Sequence, residues 1–331
     1  MAKEKTAVAE KKGYTTNLST WSNTITNLVA DDYSTCGVMF DEYSASCAME
    51  AITSIYNLAK TNNYSLKNFD NSNIRSVVGR CASLKLNANA YPRECYFQIR
   101  KVNVGGEWTP AIEMGIEGAG NDALLRNFGV DVDKVYPYWV VKEGDDYTPP
   151  RRKGIETTPP EWTENGLSQK AIRVVYPVKL TDGTVIYLIS ERESVKVNLF
   201  AHIRNNLMNE TFGICKSRHN ATDKQKEEIE TKKQEIFDAL RGCETLDDML
   251  ACEIAQKYIS AAWLDTPESM IVRKMCNNAI RKYPKNFDAM ANRAYVEMDE
   301  TYAQSQEEII ENENSVEFVE PDEIIDGEVI E

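Results

Sequence analysis

Two neighbouring stretches of this chain alternate apolar and polar residues, and this alternation limits the possible folds more than any other feature. In CYFQIRK (95–101) every second side chain is apolar, and WTPAIEM (108–114) repeats the pattern after a turn at Asn103–Gly106. A period of two is typical of a strand with one buried face. Because a short turn between two such strands reverses the chain, the pair is predicted to form an antiparallel hairpin.

Three further strands are predicted between residues 135 and 190. They are VYPYWVV (135–141), AIRVVYPV (171–178) and TVIYLIS (184–190). Asp182-Gly183 joins the last two and is a dipeptide typical of hairpin turns. The Pro-rich, basic stretch TPPRRKGIETTPPEW (148–162) is predicted to be a loop.

Helical periodicity dominates the rest of the chain. Helices are predicted over 43–60, from about Ser72, and through 123–128 up to Gly129. After residue 191, helix starts and ends are marked by a capping box at Thr222–Gln225, Gly242, Thr245, Thr266-Pro267 and Tyr283-Pro284. Hairpins interspersed with helices predict an α+β fold, a small antiparallel sheet of hairpins packed with helices and followed by a helical C-terminal part.

The negative charge is concentrated at the C-terminal end. Of the 52 acidic residues, 14 lie from Glu297 onward, where there is no Lys or Arg, which leaves 38 acidic residues against 38 basic ones. A segment this charged cannot bury enough apolar surface to fold, so 291–331 are predicted to be a disordered acidic tail. Residues 1–13 are predicted to be a disordered lead, and 14–290 a body that can carry a basic groove.

The cysteines and the N-terminus indicate the compartment. Eight cysteines without a CxxC pair, together with only two histidines, argue against a zinc site. The start, MAKEKTAVAEKKG, lacks the apolar core of a signal peptide, and no apolar run is long enough to cross a membrane. Reduced cysteines, a cytoplasmic location and no membrane partner are therefore expected.

Three glycines lie where a predicted strand becomes a helix, in IEMGIEGAGNDALLRNFG (112–129). Gly115 and Gly120 enclose four residues, as in a phosphate-binding P-loop, but Asn121 and Asp122 stand where a P-loop has Lys and Ser/Thr. The spacing also differs from the dinucleotide-binding G-x-G-x-x-G. A strand-to-helix corner that permits close packing is expected, with no nucleotide or other cofactor.

No catalytic constellation is apparent in the sequence. His202 and His219 have no nucleophile motif nearby and are predicted to be surface residues. Asp145-Asp146, in EGDDY, fits an exposed turn better than a metal pair. The chain is therefore not expected to be an enzyme.

The predicted helix from Pro267 to Tyr283 has two contrasting faces. One arc is apolar and consists of Val272, Met275, Cys276, Ala279, Ile280 and Tyr283. The opposite face carries only hydrogen-bond donors and no acid: Arg273, Lys274, Asn277, Asn278, Arg281 and Lys282. An ordinary solvated face usually mixes Glu with Lys, so phosphate binding is favoured over simple solvation.

This helix also resembles a known family. ESMIVRKMCNNAIRKYPKNF (268–287), with Trp263 upstream, resembles the C-terminal helix of the RecT family of phage single-strand annealing proteins (RecT/Redβ-type recombinases), with Met270, Lys274, Lys282 and Pro284 in motif positions. Four more segments resemble the family in the same order: CASLKLNANAYPRECYFQIR (81–100), IEMGIEGAGNDALLRNFG, VVKEGDDY (140–147) and VIYLISERESVKV (185–197). The resemblance covers roughly 40–290. Glu117 stands where the family has Lys or Arg, Met275 replaces a Thr, and the predicted helices in 220–262 look like an addition.

The resemblance implies a β-β-β-α core and ATP-independent annealing of complementary DNA strands. It implies single-stranded DNA, the annealed duplex intermediate and other copies of the chain, in a ring or helical filament, as partners. A phage 5′–3′ exonuclease and a host single-strand binding protein are implied as further partners, in the cytoplasm of a bacterial host of a phage or prophage. A single-strand binding protein without annealing activity is the alternative, and an acidic-tailed scaffold is a third.

The residues expected to contact DNA are basic and lie in or directly beside these segments or in the Pro-rich loop. They are Lys85, Arg100, Lys101, Arg126, Arg151, Arg152, Lys153, Arg192, Lys196, Arg273, Lys274, Arg281 and Lys282.

Overall fold

A computed structural model describes residues 17–104, 107–216 and 221–298. The chain divides into two compact units. The first contains the described residues up to 135 together with 179–184 and 283–298, and the second contains 136–178 and 185–282. Helices and small antiparallel sheets alternate along the chain, so the predicted α+β class is confirmed.

The first unit packs a hairpin against helices. Its helices are α1 (Asn17–Thr35), α2 (Glu42–Thr61), α3 (Asn71–Ser83) and α4 (Gly118–Phe128). Strands β1 (Cys95–Val104) and β2 (Glu107–Ile116) pair antiparallel, with Cys95 opposite Ile116. The predicted hairpin is confirmed, although residues 105–106 of its turn lie outside the described residues. Cys95, Phe97 and Ile99 contribute to the core, as the alternation predicts.

Two of these helices begin at aspartate caps. The Asp41 carboxylate accepts a hydrogen bond from the Ser44 amide at 2.7 Å, and that of Asp70 accepts one from the Ser72 amide at 2.9 Å. Such caps satisfy amides that the first helical turn leaves unpaired, which fixes where α2 and α3 start. Helix α1 was not among the predicted elements, yet Ile25, Val29 and Tyr33 are buried at a spacing of four residues.

A further helical segment, 289–298, completes the first unit. Ala291 and Ala294 are buried in the core, because small side chains three residues apart let this segment pack closely. The first residues of the predicted acidic tail, 291–298, are therefore helical rather than disordered. The rest of the tail and the predicted lead at 1–13 lie outside the described residues.

The second unit is built on a small antiparallel sheet. Strand β9 (Ala171–Leu180) lies between β4 (Trp139–Lys142) and β10 (Val185–Glu191). The β9–β10 turn contains Gly183 at φ 88°, which confirms the Asp182-Gly183 prediction. The single strand predicted at 135–141 is instead two, β3 (Val132–Val135) and β4, because residues 136–138 contain Pro137, which has no amide proton for a ladder.

The stretch predicted as a loop at 148–162 forms two short ribbons, and along the chain one encloses the other. Strand β5 (Asp146–Thr148) pairs with β8 (Glu161–Thr163), and β6 (Arg151–Lys153) pairs with β7 (Glu156–Thr158). The loop prediction was therefore wrong over these strands. Each strand has only three residues, which is too short to produce a recognisable alternation beside four prolines.

Helices complete the second unit, and the starts predicted for three of them, α6, α7 and α9, are confirmed. They are α5 (Lys196–Asn206), α6 (Asp223–Gly242), α7 (Leu246–Leu250), α8 (Ala261–Asp265) and α9 (Pro267–Arg281). Thr222 and Gln225 form the predicted capping box of α6, and Thr245 caps α7 in the same way. None of the described helices is long and apolar enough to span a bilayer.

Candidate nucleic-acid interface

The glycine corner of the first unit is a packing feature. Between the end of β2 and the start of α4, the Glu117 amide donates to the Glu94 carbonyl at 2.9 Å. A Cβ atom at Gly120 would collide with that carbonyl, and one at Gly115 would overlap the Tyr96 ring. Gly115 and Gly120 therefore permit close approach of a ring and of backbone, in agreement with the close packing that the sequence predicts for this corner.

The four candidate DNA contacts of the first unit do not form one surface free of acids. Lys85 binds the Asp41 carboxylate at 2.5 Å, Arg100 lies 3.7 Å from Glu113, and Arg126 lies 3.6 Å from Glu94. Burial tends to raise the pKa of Asp41, but hydrogen bonds from Lys85 and Ser44 hold it below its usual range. Lys101 is exposed on β1. Carboxylates beside these cations reduce their attraction for phosphate.

Arg192 occupies a buried position in the second unit and is only 6% exposed. Its guanidinium donates to both Glu268 oxygens, at 2.8 and 3.0 Å, to Asp247 at 2.6 Å and to the Ala171 carbonyl at 3.0 Å. Burial tends to raise the pKa of Asp247, yet Lys170 and Arg192 together hold it below its usual value. Arg192 therefore positions α9 and is not available to DNA.

Lys196 also has a structural role. Its ammonium group donates to the backbone carbonyls of Cys243 and Glu244, both at 2.8 Å, immediately after α6 ends. A cation at this position stabilises the negative end of a helix dipole. Sequence alone placed Lys196 and Arg192 among the DNA contacts because it does not show which cations are engaged internally.

Helix α9 has the two faces that its sequence predicts, with a small rotation. Its buried residues are Ile271, Met275, Cys276 and Ile280, while Val272 and Ala279 of the predicted apolar arc are only half-buried. On the other side Arg273, Arg281 and Lys282 are exposed. Asn278 donates to the Asn198 side chain at 2.8 Å and ties the helix to α5. Arg273, Lys274, Arg281 and Lys282 together form the α9 basic face.

Lys274 is the half-buried member of the α9 basic face. Burial, and then the charge of Arg273, lower the pKa of its ammonium group. No ion pair of Lys274 is found in the part of the chain that the structure describes. A partly desolvated ammonium group of this kind gains more from a bound anion than a solvated one does.

An imidazole lies near Lys274 and packs beside an indole. The centroids of the His202 and Trp263 rings are 6.2 Å apart. His202 Nε2 accepts a hydrogen bond from the Ser260 amide at 3.2 Å. Burial, and then the charge of Lys274, lower the pKa of His202, which therefore stays neutral at pH 7. His202 is thus partly buried and supports the helices, whereas the sequence predicted a surface residue; His219 lies outside the described residues.

The only carboxylate of α9 does not neutralise this face. Glu268 is the single acidic residue between Pro267 and Arg281, and both of its oxygens accept hydrogen bonds from Arg192. The same carboxylate accepts from the Ala171 amide at 2.9 Å. The helix therefore presents cations outward while its own negative charge is held against the body.

A second group of cations lies on the ribbon formed by β6 and β7. Arg151, Arg152 and Lys153 are all exposed, and Glu156 is paired opposite Lys153. The structure therefore brings together two sets of predicted residues, each within the second unit: the α9 basic face and the three cations of β6.

Comparison with known proteins adds no identification. No protein-family model matches the chain, and no curated protein matches it. The two basic surfaces and the resemblance in the sequence motifs are therefore the observations that bear on function.

Proposed function

We propose that this protein binds single-stranded DNA through contacts to the sugar–phosphate backbone and anneals complementary strands without ATP. The observation that carries the proposal is the α9 basic face, which gathers four cations along a helix that contains a single carboxylate, Glu268. Annealing is supported by the RecT resemblance of the same helix and of four other segments.

Contacts of this kind are independent of base sequence. Lys and Arg side chains that bind phosphates fix the position of a strand but carry no information about its bases. Each phosphate contact releases counterions, so binding should weaken as salt rises. The protein then contributes strand capture, and base pairing between the two strands supplies specificity.

The resemblance extends the proposal to partners. Copies of the chain would assemble into a ring or helical filament that holds one strand and receives its complement. A 5′–3′ exonuclease that produces single strands and a host single-strand binding protein that covers them are the proposed functional neighbours, in the cytoplasm of a bacterium carrying the phage or prophage. No cofactor takes part in this scheme.

A charge reversal of the two C-terminal residues of the α9 basic face tests the proposal. Arg281→Glu with Lys282→Glu is expected to abolish binding and annealing of complementary oligonucleotides, while the midpoint of thermal unfolding stays near that of wild type. Both side chains are exposed, and exposed charges contribute only about 0–1 kcal/mol to stability.

The matched control is Lys224→Glu with Lys226→Glu on α6. These lysines are also exposed, and the change in net charge is the same. The control is expected to anneal normally. Normal annealing by the α9 variant would contradict the placement of the site. Wild-type protein that binds single strands but does not accelerate annealing would support the alternative, a single-strand binding protein.

A further inference from the structure

The ribbon that carries Arg151, Arg152 and Lys153 ends in an exposed apolar side chain. Strands β6 and β7 are joined by Gly154 and Ile155, with Gly154 at φ 64°, a backbone conformation that favours glycine. Ile155 is 102% exposed. Residues 149–160, called the β6–β7 arm below, therefore combine three cations with an apolar tip.

The β6–β7 arm is stiffened at its base. Pro149-Pro150 leads into β6, and Pro159-Pro160 follows β7, so that both strands enter the arm through a proline pair. Proline fixes its own φ and restricts the residue before it, which limits bending at both positions. All residues from 151 to 159 are exposed, so the arm stands clear of the surface of its unit.

Aromatic side chains anchor the ribbon below the proline pairs. The Trp162 ring stacks on Trp139 of β4 at 5.8 Å, and its indole donates to the Asp145 carboxylate at 3.0 Å. Across the same ribbon, the Arg173 guanidinium lies 4.2 Å from the centre of the Tyr147 ring. These contacts hold the base of the arm in place while its tip contacts a ligand.

The composition of the arm fits single-stranded nucleic acid better than it fits a protein surface. Three cations lie on one short strand, and Glu156 is the only acid of the ribbon, so the arm carries the positive charge that attracts phosphates. The isoleucine that follows them at the tip matches the apolar side chains that DNA-binding proteins insert between bases. The cations of β6 would hold the sugar–phosphate backbone beside the tip, and the tip would then reach the bases.

We propose that the β6–β7 arm inserts Ile155 between two neighbouring bases of the bound strand and unstacks them. The inference rests on the proposed binding of single-stranded DNA and adds to it a site that contacts bases. Unstacked bases present their pairing edges to an incoming strand, so the arm would favour annealing as well as binding.

The experiment follows base stacking directly. Single-stranded oligonucleotides that carry 2-aminopurine flanked by adenines are saturated with the full-length protein, and the fluorescence that stacking quenches is measured. Wild type is expected to increase the emission. Ile155→Ser is expected to remove most of that increase but to weaken binding by less than about tenfold, because unstacking itself consumes part of the energy gained by insertion.

Two further variants make the result specific. Ile155→Leu keeps an apolar tip and is expected to retain the increase in emission. Leu167→Ser removes another highly exposed apolar side chain of the same unit, 85% exposed, and is expected to behave as wild type. An increase in emission that Ile155→Ser leaves intact would overturn the inference while DNA binding stands. A wild-type protein that does not bind the oligonucleotide would overturn the proposed function itself.

Discussion

At the scale of single residues, Lys274 is expected to affect folding and DNA binding in opposite directions. Its half-buried ammonium has a pKa below the usual 10.5 because of burial and then the charge of Arg273. A lysine whose pKa is lower in the folded than in the unfolded state reduces stability while it is charged. Stability then rises with pH between the folded pKa and the unfolded one.

Lys274→Met is therefore expected to stabilise the fold at pH 7 and to weaken binding of single-stranded DNA. Methionine keeps the apolar stem without the buried charge, and the gain in the free energy of unfolding should be about 0.5–2 kcal/mol. The gain should shrink toward about pH 10, where the wild-type lysine also loses its proton. Urea unfolding of both proteins at pH 7 and at about pH 10 measures this gain in the free energy of unfolding.

The exposed neighbour Lys282 provides the comparison on the same helix. Lys282→Met is expected to leave stability unchanged at either pH, since the wild-type side chain is already solvated. Equal stability of Lys274→Met and wild type at pH 7 would mean that the Lys274 ammonium is not desolvated.

At the scale of elements, the β6–β7 arm should contribute to the salt dependence of binding. Replacing Arg151, Arg152 and Lys153 together by Ala is expected to reduce the slope of log affinity against log salt by up to about three phosphates, roughly 0.7 each. Unfolding should be unchanged, because all three side chains are exposed. Fluorescence anisotropy at several salt concentrations measures the slope.

A triple replacement elsewhere controls for net charge. Lys60, Lys224 and Lys226 are exposed on α2 and α6, and replacing them by Ala removes the same charge. That variant should keep the wild-type slope. If the arm variant also keeps the wild-type slope, the arm is not part of the binding surface.

Elements with strong local signals could be predicted from the sequence. The hairpin of β1 and β2 follows from alternation, and α6 and α9 begin where a capping box and Thr266-Pro267 place them. The ribbons within 148–162 could not be predicted, since three-residue strands carry no period of their own. The two-faced character of α9 was predictable, but the internal engagement of Arg192 and Lys196 depends on residues more than 40 positions away.

At the scale of the whole molecule, the acidic C-terminal segment should compete with DNA for the basic surfaces. Truncation after Met298 removes 13 of the 14 acidic residues that follow position 296. It keeps Glu297, which pairs with Arg80 at 3.4 Å and Arg293 at 2.7 Å within the first unit. Tighter binding of single-stranded DNA is expected at low salt, because like charges on the segment and the DNA no longer oppose each other.

The difference in DNA affinity between the truncated and the full-length protein should disappear at high salt. At 1 M salt the Debye length is about 3 Å, so the repulsion between the segment and the DNA is screened. Titrations of both proteins at low and high salt, together with thermal unfolding, provide the test. Weaker binding by the truncated protein at low salt would mean that the segment contributes contacts to DNA.

The first unit can be completed only late in synthesis, because its last stretch follows the second unit in the chain. Its three stretches are separated by the residues of the second unit. At the end of α4, the Phe128 carbonyl accepts a hydrogen bond from the Asn286 amide at 2.7 Å, and the Phe128 ring lies 5.0 Å from Phe287. During translation, these contacts form only after residue 287 has left the ribosome. The unit that begins to emerge first is therefore the last to be completed. In a nascent chain arrested before residue 287, α4 lacks its contacts with Asn286 and Phe287.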